Sequence, residues 1–254
     1  MSFLFKKYAD YYDLIYSHKD YKKEVNYLNA ILMKLKVKTK ANILELGCGT
    51  GKHAVELSKL NYSVHGIDIS KDMVRLAKKQ KTLKLNFEIG DVRKFRSLML
   101  FDAVISLFHV ISYQLNYYDL LDTFKTANIN LKKNSFFIFD CWYGPAVLSH
   151  PPKIKYKHIK QKDFKLTRVA YPNLLQRESV VDVEYKIRIT DKISKKNIDF
   201  NEVHRVRYYF KSEIEYFLEQ AGFKLMENFE WMTSKQLSEK TWGSCYVAKK
   251  IREI

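Results

Sequence analysis

The residues with the types and spacing to do chemistry begin at a turn built on Gly47, Gly49 and Gly51, with Glu45 just ahead of it and Lys52 and His53 just behind. Glycines at alternate positions let backbone come close to a ligand. The run from Asn42 to Leu46 reads as a buried strand and the stretch from about His53 to Leu60 as a helix. Strand, glycine turn and helix make the first unit of a nucleotide-binding α/β sheet, whose ligand sits beyond the carboxyl end of the strand. The dinucleotide fingerprint G-x-G-x-x-G is not met, because the third glycine comes one place early and Lys52 stands where that pattern wants glycine. Glu45 would repel a pyrophosphate, and it suits a ligand that carries an ammonium group and no phosphate.

Further candidates follow along the chain. Ser63 to Asp68 reads as a second strand ending in an acid about twenty residues after the glycines, the spacing at which such folds bind ribose hydroxyls. Leu85 to Val92 holds a third strand that ends at Gly90-Asp91, Asp102 to Leu107 a fourth, and Ser135 to Asp140 a fifth. Past the fourth strand come His109 and Tyr113. A histidine there has a pKa near neutrality and could take a proton from an attacking amine or hydroxyl, or it could be a loop histidine bonded to backbone. Past the fifth strand, Asp140, Trp142 and Tyr143 offer an acid and two rings that could stack on a sugar or base, or simply pack in the core.

These motifs, in this order, resemble the class I S-adenosylmethionine-dependent methyltransferases, whose first motif is E/D-x-G-x-G-x-G. The resemblance implies S-adenosylmethionine as cofactor and S-adenosylhomocysteine as product. It implies contacts from Glu45, Gly47, Cys48, Gly49, Asp68, Ile69, Asp91, Val92 and Leu107, with Asp91 near the adenine amine and the backbone of Val92 beside it. The implied fold is a Rossmann-like, mostly parallel sheet of seven strands with helices on both faces. Tyr12 to Tyr16 followed by Lys19 to Lys22 is similar to the lid of a narrower group, the amino-sugar N,N-dimethyltransferases acting on nucleotide-linked sugars. That similarity implies Tyr16 and Lys22 at the methionine end of the cofactor. The alternative for Tyr8, Tyr11, Tyr12, Tyr16 and Tyr21 is packing against the sheet edge.

Two departures from the family pattern bear on function. The segment Phe108 to Tyr113 has no proline, so it lacks the Asp/Asn-Pro-Pro-aromatic motif of methylases that act on exocyclic base amines. The turn before the fifth strand lacks Pro-Gly-Gly, which leaves Asn134 as the residue able to adopt the left-handed conformation.

The remaining elements must position these residues. Ser70 can cap a helix through Gln80, with Asp72 in its first turn and Lys78, Lys79 and Lys81 near its end, an order that suits the helix dipole. Val180 to Thr190 alternates as a half-buried strand does, Phe200 to Phe210 more loosely, and 193–197 reads as the hairpin turn between them. An antiparallel sheet inserted after the fifth strand would cover the substrate side, with His204, Arg205 and Arg207 as phosphate contacts or as solvated strand faces. Ser212 reads as a cap for a helix ending at Ala221-Gly222, with two closing strands near 224–231 and 242–249. The expected organisation is a helical lid over 1–40, a cofactor core over 41–150, an insertion over 151–210 and the end of the core sheet over 211–254.

The 254 residues suffice for one elaborated domain. No apolar run is long enough to span a bilayer and the start lacks a signal segment, so a cytoplasmic protein without a membrane partner is expected. The three cysteines, Cys48, Cys141 and Cys245, lie far apart, which suggests neither a disulfide framework nor a metal site. The net charge of +17 would suit a polyanion. Lysine outnumbers arginine and is spread along the chain, which argues against gripping nucleic acid and still favours small phosphorylated substrates. The expectation is methyl transfer to N or O of a small, sugar-containing or phosphorylated metabolite, with a homodimer allowed. An RNA methyltransferase and a non-catalytic cofactor-binding subunit are the alternatives.

Overall fold

The computed structural model describes residues 8–80 and 82–254, with side chains from Tyr11 onward. Residues 1–7, the Tyr8 side chain and Lys81, all drawn on above, lie outside the described residues. Helices α1 (Tyr8–Ile15) and α2 (Tyr21–Lys34) come first. Asp20 caps α2 by accepting the Lys23 N–H at 2.9 Å, and Val25, Leu28 and Leu32, spaced three and four apart, form its buried stripe.

The core follows as β1 (Asn42–Leu46), α3 (Lys52–Lys59), β2 (Ser63–Asp68), α4 (Lys71–Ala77), β3 (Leu85–Ile89), β4 (Phe101–Ser106), a 3₁₀ turn (Val110–Tyr113), α5 (Tyr117–Asn130) and β5 (Leu131–Tyr143). Strands β3, β2, β1, β4 and β5 lie side by side and parallel. Ile43, Leu44 and Leu46 of β1 are fully buried because helices cover both faces. On one side, α2, α3 and α4 pack through Leu28, Leu57 and Val74. On the other, Leu120 and Phe124 of α5 meet Phe137 and Phe139 of β5. Helix α4 is capped by Ser70, whose Oγ accepts the Met73 N–H at 3.3 Å, and it stops at Ala77, short of the expected Gln80.

Strand β5 is longer than the sequence indicates. It begins at Leu131, and the expected turn at Asn134 is an irregularity within it, with Asn134 at φ +63° and a shift in pairing between Phe101 and Ala103. At its far end β5 runs past β4, whose pairing stops at Ser106 opposite Phe139. The edge left open is taken by a later strand, through Trp142 opposite Tyr208 and Tyr143 opposite Tyr209.

That later strand belongs to the segment after α6 (Gly144–Ser149): β6 (Lys155–Lys160), β7 (Phe164–Leu175), β8 (Val180–Asp191) and β9 (Asn197–Tyr209), antiparallel neighbours throughout. The sequence indicated two strands in a sheet of their own. The structure has four, joined to the core through β9 and β5. Strand β7 tolerates Pro172 because β6 pairs only as far as Ala170, so the missing N–H faces no neighbour on that side.

Helix α7 (Lys211–Gln220), β10 (Phe223–Glu230) and β11 (Gly243–Lys250) close the chain. Ser212 is not the cap of α7. The cap lies two residues earlier, at Phe210, whose N–H is accepted by the Glu213 side chain at 2.9 Å. Gly222, at φ +79°, ends the turn beyond it. Strand β11 lies antiparallel to both β5 and β10, on the β5 edge opposite β9. Among the described residues no helix is long and apolar enough to cross a membrane.

Candidate active site

The glycine turn is fixed by the neighbouring strand. The N–H groups of Gly47 and Cys48 both donate to the Ile67 carbonyl, at 2.8 and 2.9 Å. A Cβ on Gly47 would stand 2.6 Å from Val110, so only glycine lets the turn pack against the 3₁₀ segment. A Cβ on Gly49 would meet nothing within 4 Å, because this position faces open cavity. The N–H of Gly49 donates to Asp68 Oδ2 at 2.9 Å, and that of Ser70 to Oδ1 at 2.8 Å. Burial raises the Asp68 pKa and these two N–H groups oppose the rise. Each oxygen keeps a lone pair, enough to accept a diol's two hydroxyls.

The cavity beyond this turn is walled by Gly47 to Thr50, Asp68, Met73, Leu107 and Phe108 from the core, and by Tyr12, Tyr16 and Tyr21 from the N-terminal segment. Helix α1 is held over it from both sides. Asp13 accepts from the Thr50 hydroxyl at 2.7 Å and pairs with Lys52 at 3.0 Å, while Ile15 is fully buried against Leu166, Ile187 and Ile189 of the inserted strands. An open glycine face, a diol-accepting carboxylate, the apolar walls of Met73 and Leu107, and polar groups at the Thr50 and His53 end fit a nucleoside joined to an amino acid.

Several sequence candidates stand elsewhere. Lys22 projects into solvent from the first turn of α2. The cation that folds inward is Lys19, in the loop before that helix; its Nζ is 2.6 Å from Glu24 and 3.8 Å from the centre of the Phe108 ring. Glu45, 2 % exposed, does not reach the cavity; His53 stands in front of it, with Nδ1 3.5 Å from Glu45 Oε1. Ile69, Asp91 and Val92 are half-buried outside the cavity walls. Asp91 is clasped by Arg93, whose hydrogen bonds hold the carboxyl below its usual range, and Arg93 reaches on to Asp119 at 2.9 Å.

At the far end of the cavity, Phe108 and His109 both adopt left-handed φ of +64°. Two such residues in succession are strained, and here the backbone turns sharply to aim both rings inward. Asp140, 1 % exposed, accepts the His109 N–H at 3.1 Å and lies 2.8 Å from His109 Nδ1. Burial alone would raise the Asp140 pKa, but the charge and contacts of His109 hold it below the ordinary value. Asp140 is therefore a buried partner behind His109 and does not face a substrate. Trp142 lines the cavity and Tyr143 does not.

A second cavity opens beside the first and shares His109, Trp142, Val183 and Tyr185 with it. Its other walls include Trp242, Lys153, Lys155 and Arg168. Tyr113 and His204 stand at the junction, 2.7 Å apart through the Tyr113 hydroxyl and His204 Nδ1. Burial, helped by the charge of Arg168, pushes the His204 pKa down to about 4, so it is a neutral hydrogen-bonding group and not a phosphate cation. The other two arginine candidates are engaged away from the cavity: Arg205 pairs with Asp182 at 2.6 Å on the outer face, and Arg207 pairs with Glu213 at 3.0 Å. Sequence reasoning chose Lys22 over Lys19 within the lid segment and passed over Arg168, Tyr185 and Trp242, which sit in stretches with no motif and meet only through the fold.

Comparison with known proteins agrees with this geometry. Residues 43–134 match the model of a methyltransferase domain. A dTDP-3-amino-3,4,6-trideoxy-alpha-D-glucopyranose N,N-dimethyltransferase from Streptomyces venezuelae is 24% identical over 86% of this chain and 90% of its own. Among solved structures, a sugar N-methyltransferase from Streptoalloteichus sp ATCC 53650 superposes with a TM-score of 0.82 at 19% identity, over 95% of this chain and 93% of that one. An S-adenosylmethionine-dependent methyltransferase from Clostridium acetobutylicum ATCC 824 does so with a TM-score of 0.78 at 21% identity, over 96% and 97%. The methyltransferase-domain match takes in the glycine turn and Asp68 and supports an S-adenosylmethionine-dependent methyltransferase, while the likeness to these solved structures along nearly the whole chain shows that it shares their fold.

Proposed function

We propose that the acceptor is the amino nitrogen of a small, sugar-containing metabolite that carries a phosphate or other anionic group, and that it is methylated in the cytoplasm. The observation that carries this reading is the second cavity. It meets the cofactor cavity at His109 and Trp142, offers the indoles of Trp142 and Trp242 to a ring face, and is lined also by the cations Lys153, Lys155 and Arg168. The names of the similar enzymes, which act on dTDP-linked amino sugars, support the same class.

When bound, S-adenosylmethionine supplies an electrophilic methyl group; Asp68 and the glycine turn would hold its nucleoside and the Thr50 and His53 end its amino acid. The chain's own work is to place the acceptor nitrogen in line with that methyl group and to take a proton from it. Asp140, kept ionised beside Nδ1, favours the His109 tautomer whose Nε2 bears the lone pair, and that nitrogen accepts the proton. The Tyr113 and His204 pair offers neutral hydrogen bonds to the acceptor's hydroxyls.

A methyl-transfer assay across dTDP-linked amino sugars, amino-sugar phosphates, simple amino sugars and transfer RNA tests this. Turnover on an anionic amino sugar is expected, with simple amino sugars poorer. Turnover of RNA alone, or of neutral and anionic sugars equally, would overturn it.

A further inference from the structure

His53 is a buried histidine that methyl transfer does not itself require. It is the second residue of α3, its side chain is 7% exposed, and it borders the cavity. Nε2 lies 2.8 Å from Glu24 Oε2 on α2, and Nδ1 lies 3.5 Å from Glu45 Oε1 on β1. The ring of Tyr21 meets the imidazole edge-on at 5.0 Å. The other oxygen of Glu24 is 2.6 Å from Lys19 Nζ, which rests over Phe108. Glu45, His53, Glu24 and Lys19 thus form a row of alternating charge that begins beneath the glycine turn and ends on the residue next to His109.

An imidazole between two carboxylates has a definite chemical requirement. With a proton on each nitrogen it can meet both acids, whereas the neutral ring turns a lone pair toward one of them. Glu45 has little else to rely on, since its Oε2 is buried without a hydrogen-bond partner.

We propose that His53 is a positioning residue for the cofactor site, tying Glu45 under the glycine turn to Glu24 and thereby setting Lys19 against Phe108 at the cavity mouth. The groups facing it are Glu24 and Tyr21 from α2, Lys19 from the loop before it, and Glu45 from β1. Burial works against the charged ring, the two carboxylates outweigh burial, and Lys19 opposes them, which leaves the His53 pKa above its usual value. The row is therefore complete below that elevated pKa and comes apart as pH rises through it.

Calorimetric binding of S-adenosylhomocysteine to the full chain, from about pH 6 to about pH 9, tests this without an acceptor. Affinity of the unaltered protein should be level at the acid end and fall by about tenfold as His53 loses its charge, an effect equivalent to one pKa unit of coupling. His53→Gln should bind about tenfold more weakly at the acid end and show no decline with pH. Lys19→Met, whose ammonium meets Glu24 and two rings among the described residues, should shift the decline to higher pH by removing a repulsion on the imidazolium. Unchanged affinity and slope in His53→Gln would overturn the proposal. So would weakened affinity with the original slope, the mark of a merely structural role. If His53→Gln does not fold, an unmoved decline in Lys19→Met would overturn it alone.

Discussion

Asp68 already accepts two backbone N–H groups, so its carboxylate is fixed in place whether or not a ligand is bound. That preorganisation is what a ribose site needs, because no side-chain entropy is lost on binding. Asp68→Ala should therefore weaken S-adenosylhomocysteine binding by about 1.5–3 kcal/mol, the scale of a charged hydrogen bond, as read by calorimetry. Affinity left intact would move the ribose away from β2. For His109 the expectation concerns rate. His109→Ala should lower the single-turnover methyl-transfer rate by about 10²–10⁴-fold while cofactor affinity holds, the usual contribution of a general base. An unchanged rate on the true acceptor would leave alignment of the reacting atoms as the source of catalysis.

Among the elements, the connection from β4 to α5 bears the most strain and the most function. Phe108 and His109 keep their left-handed backbones because Asp140 holds one and the Lys19 ammonium and Tyr16 ring hold the other. The 3₁₀ turn that follows is anchored by Ser112, whose hydroxyl accepts the Trp142 N–H at 3.0 Å. Helix α5 then needs a firm start, and Asn116 provides it by accepting the Asp119 N–H at 2.9 Å. Asn116→Ala should cost about 1 kcal/mol in urea unfolding, the typical value of a helix cap, with methyl transfer little altered. A loss of activity larger than the loss of stability would mean that α5 also governs the His109 turn.

Over the whole molecule, the insertion and the core meet at His204, whose Nδ1 lies 2.7 Å from the Tyr113 hydroxyl and whose ring packs edge-on to Tyr185. His204 is pushed down to about 4, below the ordinary 6.5 of a histidine. Unfolding therefore lets it take up a proton at any pH between these values. Its contribution to stability is intact above about pH 6.5 and is lost as pH falls toward about 4, by on the order of 3 kcal/mol. Glu202, raised by burial to about 7, acts in the opposite direction over much of the same window, so the informative quantity is a difference. The urea midpoint of His204→Asn, taken relative to that of the unaltered chain, should rise as pH falls from 6.5 to 4, because the Glu202 effect is common to both and only the unaltered chain loses the His204 contribution. Parallel pH profiles would place the His204 ring in contact with solvent.

How much of this was legible in the sequence follows from the range of the interactions involved. The glycine turn, Asp68 at the end of β2, the positions of the first five strands and the left-handed Asn134 depend on local backbone requirements and on apolar runs bounded by turns, so the sequence by itself determined them. The pairing of His109 with Asp140, 31 residues apart, was not read from the sequence, which offered Asp140 to the substrate; it arises because β4 and β5 end side by side. What the tertiary structure alone decided is which charges face inward. Lys19 and Lys22 are three residues apart, and the start of α2 at Tyr21 turns one onto Glu24 and the Phe108 ring and the other to water. Glu45 is screened by His53, and Asp91 is clasped by Arg93, through side-chain contacts that no spacing encodes. Strands β6 and β7 were missed because their lysines, a proline and a single buried face obscure the alternation. They are strands because the free edge of β5 seats β9, and each neighbour then finds its partner in turn.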